Sequence, residues 1–135
     1  MRTLTEDEIE RGTALPPLRI ELTPTTVIAT ALSTMDFTPV HHDVAGARAQ
    51  GSADIFLNIL TTMGLVERYV TDWAGPEALI RGINVRLGVP AYAGDTLTFS
   101  GVVTERRDGE VTVEVRGAVS LGDHAIGTVR FNLPR

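Results

Sequence analysis

The segment Asp36-Phe37-Thr38-Pro39-Val40-His41-His42-Asp43 holds the densest cluster of groups able to move a proton, including two of the three histidines. Pro39 fixes its own φ and lacks a backbone donor, so the segment reads as a stiff turn rather than a regular helix. A carboxylate and an imidazole separated across such a turn can converge on one point. A water held between them can be deprotonated and aimed. Histidine titrates near neutral pH, and a partly buried aspartate can be tuned upward. Asp36 and His41 are therefore the candidate acid–base pair. The same residue types also fit an Asx-turn beside a hydrogen-bonding loop histidine. A metal site is disfavoured, because the side chains of His41, His42 and Asp43 alternate in direction along an extended chain. The sequence offers no cysteine and one further histidine, His124.

The elements that must position this pair follow from length and pattern. The 135 residues are enough for one domain with its own core, and 43% apolar with 21% charged residues is a globular balance. The lack of cysteine excludes disulfides, thiolate catalysis and cysteine-ligated metal. No apolar run reaches the length of a membrane span, and the opening MRTLTEDEIERG is acidic, unlike a signal peptide. A cytoplasmic protein with no membrane partner is expected. All twelve basic residues are arginine, they are scattered, and the net charge is −5, which gives no footprint for nucleic acid.

Residues 1–14 are expected to form a flexible acidic tail and residues 15–135 a single domain, with Leu15-Pro16-Pro17 as punctuation between them. Thr23-Pro24 reads as a helix cap followed by a first-turn proline, with the helix running to about Ser33, although Thr25-Thr26-Val27-Ile28 would also suit a strand. Residues 36–53 read as a long irregular segment, a place where function concentrates. From Asp54 to about Trp73, apolar residues recur at helical spacing on a face too wide for a surface stripe, which predicts one long buried helix ended by Gly75-Pro76. Four runs with period-two alternation follow, and Asp108-Gly109 between two of them marks a hairpin. The expected class is α+β, an antiparallel sheet wrapped around one long central helix. Its other face and edge need cover, which in so short a chain suggests a dimer.

The Asp36-Phe37-Thr38-Pro39-Val40-His41 segment resembles the hydratase motif of the MaoC-like family, the (R)-specific enoyl-CoA hydratases. That motif is Asp-x-Asn-Pro-hydrophobic-His, often followed by x-Asp. Asp36, Pro39, Val40, His41 and Asp43 match, and Thr38 stands where asparagine is usual. The resemblance spans about residues 15–134, and it implies a hot-dog fold and hydration of an α,β-unsaturated acyl-CoA, with Asp36 and His41 activating the water and with no metal or redox cofactor. Within the family, Val40-His41-His42-Asp43, Asp54-Ile55-Phe56-Leu57-Asn58-Ile59-Leu60, Thr71-Asp72-Trp73-Ala74-Gly75-Pro76 and Leu87-Gly88-Val89-Pro90 are similar to the small subunits of actinobacterial steroid side-chain enoyl-CoA hydratases. This closer resemblance implies a catalytic subunit of a heterotetramer with a larger MaoC-like partner, acting in cholesterol degradation. A homodimer is the alternative assembly.

Typical members open the central helix with His-Gly, whose glycine amide binds the thioester carbonyl; here Leu57-Asn58 takes that place. The Asn58 amide could still serve as a substrate-binding donor, or Asn58 could be a polar residue at a helix start. Some hot-dog thioesterases carry a carboxylate near this helix, and Asp54 could be one, but a helix cap is its simpler reading. Arg81 and Arg86 suit CoA phosphates or the solvated face of a strand, the second being the ordinary case. Two other functions remain compatible with the sequence: an acyl-CoA thioesterase using Asp54, and a non-catalytic partner subunit that completes another protein's pocket.

Overall fold

The period-two runs carry through into strands because each places valine or phenylalanine on one face and polar residues on the other. The computed structural model describes residues 1–134, among which there are five strands and three α-helices. The strands are β1 (Ala14–Glu21), β2 (Leu79–Leu87), β3 (Thr96–Arg107), β4 (Glu110–Val119) and β5 (Gly122–Asn132). They form one antiparallel sheet in the order β1-β3-β4-β5-β2. The β3–β4 hairpin turns on Asp108 and Gly109, at φ 53° and 79°, with Arg107 paired to Glu110. Two successive positive φ values are what a two-residue hairpin loop needs, and Asp-Gly tolerates them best.

The helices are α1 (Pro24–Ser33), α2 (Val44–Ala49) and α3 (Ile59–Ala74). The sheet wraps α3 in the hot-dog arrangement that the resemblance implied. Val66, Tyr69, Val70 and Ala74 of α3 are buried, as are Leu97, Phe99, Val111, Val113, Val115, Val129 and Phe131 of the sheet. Tyr69 stacks on Phe99 with ring centroids 5.5 Å apart, and Trp73 meets Phe131 edge-on at 6.4 Å. Burying each large side chain contributes roughly 1.5–3 kcal/mol, so α3 is held mainly by this face. Phe99→Ala would remove the ring beneath Tyr69 at a cost of about 3–5 kcal/mol. No helix among the described residues is long and apolar enough to cross a membrane.

Four expectations are corrected. First, α3 begins at Ile59 rather than Asp54, and residues 54–58 are non-helical. Asn58 caps it, with its side chain accepting from Thr61 N, and the Asn58-x-x-Thr61 spacing carries the start signal. Second, Leu15-Pro16-Pro17 is not a break but part of β1. This is an edge strand whose register against β3 skips between Leu15 and Leu18. An edge tolerates prolines because no ladder bond is needed on its outer side.

Third, the N-terminal residues are not a free tail. Ile9 is fully buried, Leu4 packs on the core, and Leu4 N donates to Ala74 O at 2.8 Å. A 3₁₀ turn over Glu6–Glu8 keeps the acidic residues on the solvent side. Gly75, at φ 104°, lets the segment cross the end of α3, where an added Cβ would lie 2.3 Å from the Thr3 Cα. Composition pointed to a tail because two apolar anchors among many acids are a weak pattern. Fourth, the 36–53 segment is partly regular: it holds a 3₁₀ turn over Pro39–His41 and the short helix α2. Asp43 accepts from Gly46 N as the α2 cap.

Candidate active site

Three elements bring the site together. α1 ends at Thr34, Met35 turns the chain at φ 58°, and Asp36 follows. The turn over Pro39–His41 returns the imidazole, and the start of α3 closes the third side. A positive φ at a residue other than glycine stores strain of about 1–3 kcal/mol. Here it re-aims the chain so that Asp36 leaves the helix axis.

His41 Nε2 lies 3.4 Å from Asp36 Oδ2. That is too long for a strong direct hydrogen bond. It is the right spacing for both atoms to contact one water lying beside them. His41 is buried, with 7% exposure, and its Nδ1–H donates to the Phe56 carbonyl at 2.7 Å. This bond fixes the tautomer: in the neutral ring Nε2 carries the lone pair and faces Asp36. The Phe56 ring sits edge-on to His41 at 5.0 Å and edge-on to Tyr92 at 6.1 Å, which locks the imidazole plane.

Asp36 is gripped on both oxygens. Oδ1 accepts from Thr38 Oγ1 at 2.7 Å and Thr38 N at 3.2 Å, and Oδ2 accepts from Asn58 Nδ2 at 3.2 Å. The Thr38 hydroxyl and then the Thr38 amide, with smaller help from Asn58 and His41, hold the carboxyl below its ordinary range against the opposing effect of burial. The sequence suggested an upward-tuned aspartate. The structure reverses that, because donors outweigh desolvation in so open a turn. Asp36 is therefore an ionised carboxylate at neutral pH, ready to accept a proton.

Asn58 has 2% exposure and its side chain is fully used. Nδ2 also donates to Thr34 Oγ1 at 2.8 Å, and Oδ1 accepts from both the amide and the hydroxyl of Thr61. The first amides of α3 lack intrahelical acceptors, as at every helix start, and sit at its positive end. Around the carboxylate the surface is apolar: Met35, Phe37, Ile59 and Leu60 are exposed.

The other candidates fall away from this centre. His42 Nε2 contacts the Phe37 carbonyl at 3.1 Å. Asp54 Oδ1 accepts from Ile55 N and does not cap α3. Arg81 bonds to Asn132 in the sheet, and Arg86 is exposed. His124 is buried elsewhere, between Thr62 Oγ1 and the Val89 carbonyl, both at 2.8 Å. Among the described residues no group of three or more histidine, aspartate or glutamate side chains gathers as metal ligands would.

The family model described as "MaoC like domain" matches residues 7–124. The chain belongs to the MaoC-like domain family. A Mycobacterium tuberculosis relative, the 3-oxo-4,17-pregnadiene-20-carboxyl-CoA hydratase beta subunit, is 58% identical over 122 residues, spanning 90% of this chain and 95% of the relative. A chain in the crystal structure of the M. tuberculosis ChsH1–ChsH2 complex superposes with a TM-score of 0.91 at 57% identity, over 93% of this chain and 98% of that one. The (R)-hydratase of A. caviae involved in PHA biosynthesis superposes at 0.86 with 22% identity, over 93% and 98% of the two chains. That likeness shows the shared MaoC-like fold.

The MaoC-like motif residues Asp36 and His41 thus lie together, and Asn58 lies with them. Sequence reasoning missed Thr38 as the main partner of Asp36, seeing in it a departure from asparagine. It missed the Phe56 carbonyl altogether, since a backbone acceptor leaves no mark in residue type. It also missed that Asn58 works through its side chain, although the Asn-x-x-Thr spacing signalled it.

Proposed function

We propose that this chain is the catalytic subunit of an enoyl-CoA hydratase that adds water across the α,β double bond of a steroid side-chain acyl-CoA. The observation that carries the reading is the Asp36–His41 pair, with an ionised carboxylate 3.4 Å from a tautomer-fixed imidazole. The high identity to a named steroid-CoA hydratase subunit supports the substrate class.

Asp36 and His41 hold one water. Asp36 takes its proton as general base, and His41 orients it through the Nε2 side. The water oxygen bonds to the β-carbon, and the π electrons move toward the thioester to give an enolate. The positive end of α3, beginning at the Asn58 amide, steadies the enolate oxygen. The proton then returns to the α-carbon from the same side of the site, so one water is added overall and addition is syn. None of these steps calls for a metal or a redox group.

The exposed apolar rim and the unpaired outer edge of β2 support assembly with a second hot-dog subunit. A larger MaoC-like partner in a heterotetramer is the proposed arrangement. A cytoplasmic location is proposed with it, since acyl-CoA thioesters are intracellular substrates. The test is a tagged pull-down from the native host, with the eluate assayed for loss of conjugated enoyl-thioester absorbance on a steroid enoyl-CoA. A co-purifying larger MaoC-like chain with hydration supports the proposal. A homodimer active only on short linear enoyl-CoAs discards the steroid assignment. Thiol release without hydration discards the hydratase reading.

A further inference from the structure

We propose that Asn58 is a positioning residue whose side chain ties the start of α3 to the Asp36 carboxylate, so that the base and the helix's first amides are held as one unit. The inference rests on Asp36 being the base.

The argument begins with the cap. Oδ1 of Asn58 accepts from the amide and hydroxyl of Thr61, so the amide group has one permitted orientation. In that orientation Nδ2 must face away from the helix, toward Thr34 and Asp36. It meets Thr34 Oγ1 at 2.8 Å and Asp36 Oδ2 at 3.2 Å. Flipping the amide would set NH₂ against the Thr61 N–H and an oxygen against a carboxylate, which is unfavourable on both sides. Burial of the residue removes water as a substitute partner.

The consequence is geometric. Thr34 ends α1, Asp36 follows two residues later, and Asn58 precedes α3. One planar side chain therefore fixes the distance between the proton acceptor and the helix end that faces the substrate oxygen. Aspartate and serine cap helices as well as asparagine does, but neither offers an amide donor to Asp36. Asparagine satisfies both demands at once.

The titratable neighbour of Asp36 is His41, on the turn packed beside it; Thr38 and Asn58, its other polar partners, carry no charge. The acid limb of kcat/KM then reads protonation of Asp36, the carboxylate to which Asn58 donates.

The experiment compares Asn58→Ser, Asn58→Asp and Asp36→Asn in the assembled, full-length complex. Asn58→Ser keeps the cap and loses the donor. Asn58→Asp keeps the cap and the shape but sets a second carboxylate against Asp36. The expected result is an acid limb moved to higher pH in Asn58→Ser and further in Asn58→Asp. The expected loss in kcat is about tenfold or more, from misplaced groups. KM should change by less than about twofold, since ground-state binding is untouched. Acid limbs that superimpose on wild type overturn the proposal. So does a lowered kcat with an unmoved acid limb, the signature of a distorted helix start alone. An active Asp36→Asn variant instead overturns the assignment of the base. If Asn58→Ser fails to fold, the isosteric Asn58→Asp variant still decides.

Discussion

Replacing Asp36 with asparagine changes a single atom, and the structure predicts where that atom goes. Thr38 donates twice to Oδ1, so the introduced amide keeps its oxygen there. Its NH₂ then occupies the Oδ2 position, 3.4 Å from His41 Nε2 and 3.2 Å from Asn58 Nδ2. His41 Nδ1–H is already committed to the Phe56 carbonyl, so Nε2 can only accept. The new amide therefore donates to the imidazole lone pair that would otherwise hold the water. It also faces the NH₂ of Asn58 with no acceptor between them. The proton acceptor is lost and the orienting group is occupied. Loss of a positioned base alone lowers rates about 10²–10⁴-fold, or about 3–5 kcal/mol in the barrier. Both effects together place the variant at the lower-activity end of that range. Stability should fall by only about 1 kcal/mol, since the lost bonds involve a partly exposed carboxylate. The assay is the decay of enoyl-thioester absorbance by the assembled complex, with thermal unfolding in parallel. A folded variant whose rate stays within about tenfold of wild type would refute the reasoning, because no base-dependent step tolerates that change.

Other outcomes follow from the same geometry. His41→Ala should lower kcat about 10²-fold or more with a small change in KM. Added imidazole should restore part of the rate, because the vacated space beside Phe56 fits the ring; absence of any rescue would argue for a structural role. His124 should also make stability depend on pH. Burial pushes its pKa below the ordinary 6.5, partly opposed by the Val89 carbonyl. The unfolded chain therefore takes up the proton first. Stability is full above about pH 6.5 and falls as pH drops from there toward the native value. Urea midpoints measured across that window should slope in wild type and flatten in His124→Gln; parallel curves would remove the assignment. Asp36 has the opposite chemistry but the same sign, its native pKa being lowered. Its contribution is present above the ordinary carboxylate value of 3.8 and is lost at more acidic pH.

Much of the fold was legible because its signals are local. The alternating valines of residues 111–115 and the Asp108-Gly109 turn specify β4 and its hairpin without reference to the rest of the chain. Thr23-Pro24 capped α1 as its sequence indicated. The misreadings arose where a distant partner decides. Pro16 and Pro17 look like a break until β3 supplies the other half of the ladder. Ile9 looks like a stray apolar residue in an acidic run until the core receives it. In the site, the spacing of Asp36 and His41 was readable because one turn holds both. The roles of Phe56 and Asn58 were not, since they depend on a segment 15 to 22 residues away returning to the turn. The direction of the Asp36 shift was misjudged for the same reason, as it hangs on how many donors converge on the carboxylate.

The two outer strands of the sheet are unlike each other, and that difference decides which edge can be extended. β1 carries two consecutive prolines, which have no backbone N–H to donate. β2 runs from Leu79 to Leu87 with no proline and exposes both of those leucines. Both outer strands shift register once against their inner neighbours, but only β1 lacks two consecutive backbone donors, so β2 is the edge open to a further strand. Joining two such sheets at β2 leaves a proline-blocked strand at each far end, and growth terminates there. A protein that needs a neighbour to cover an apolar rim runs the risk of open-ended polymerisation. Here the blocked strand sets the stopping rule, and a pair of folded units is the largest object this edge can build.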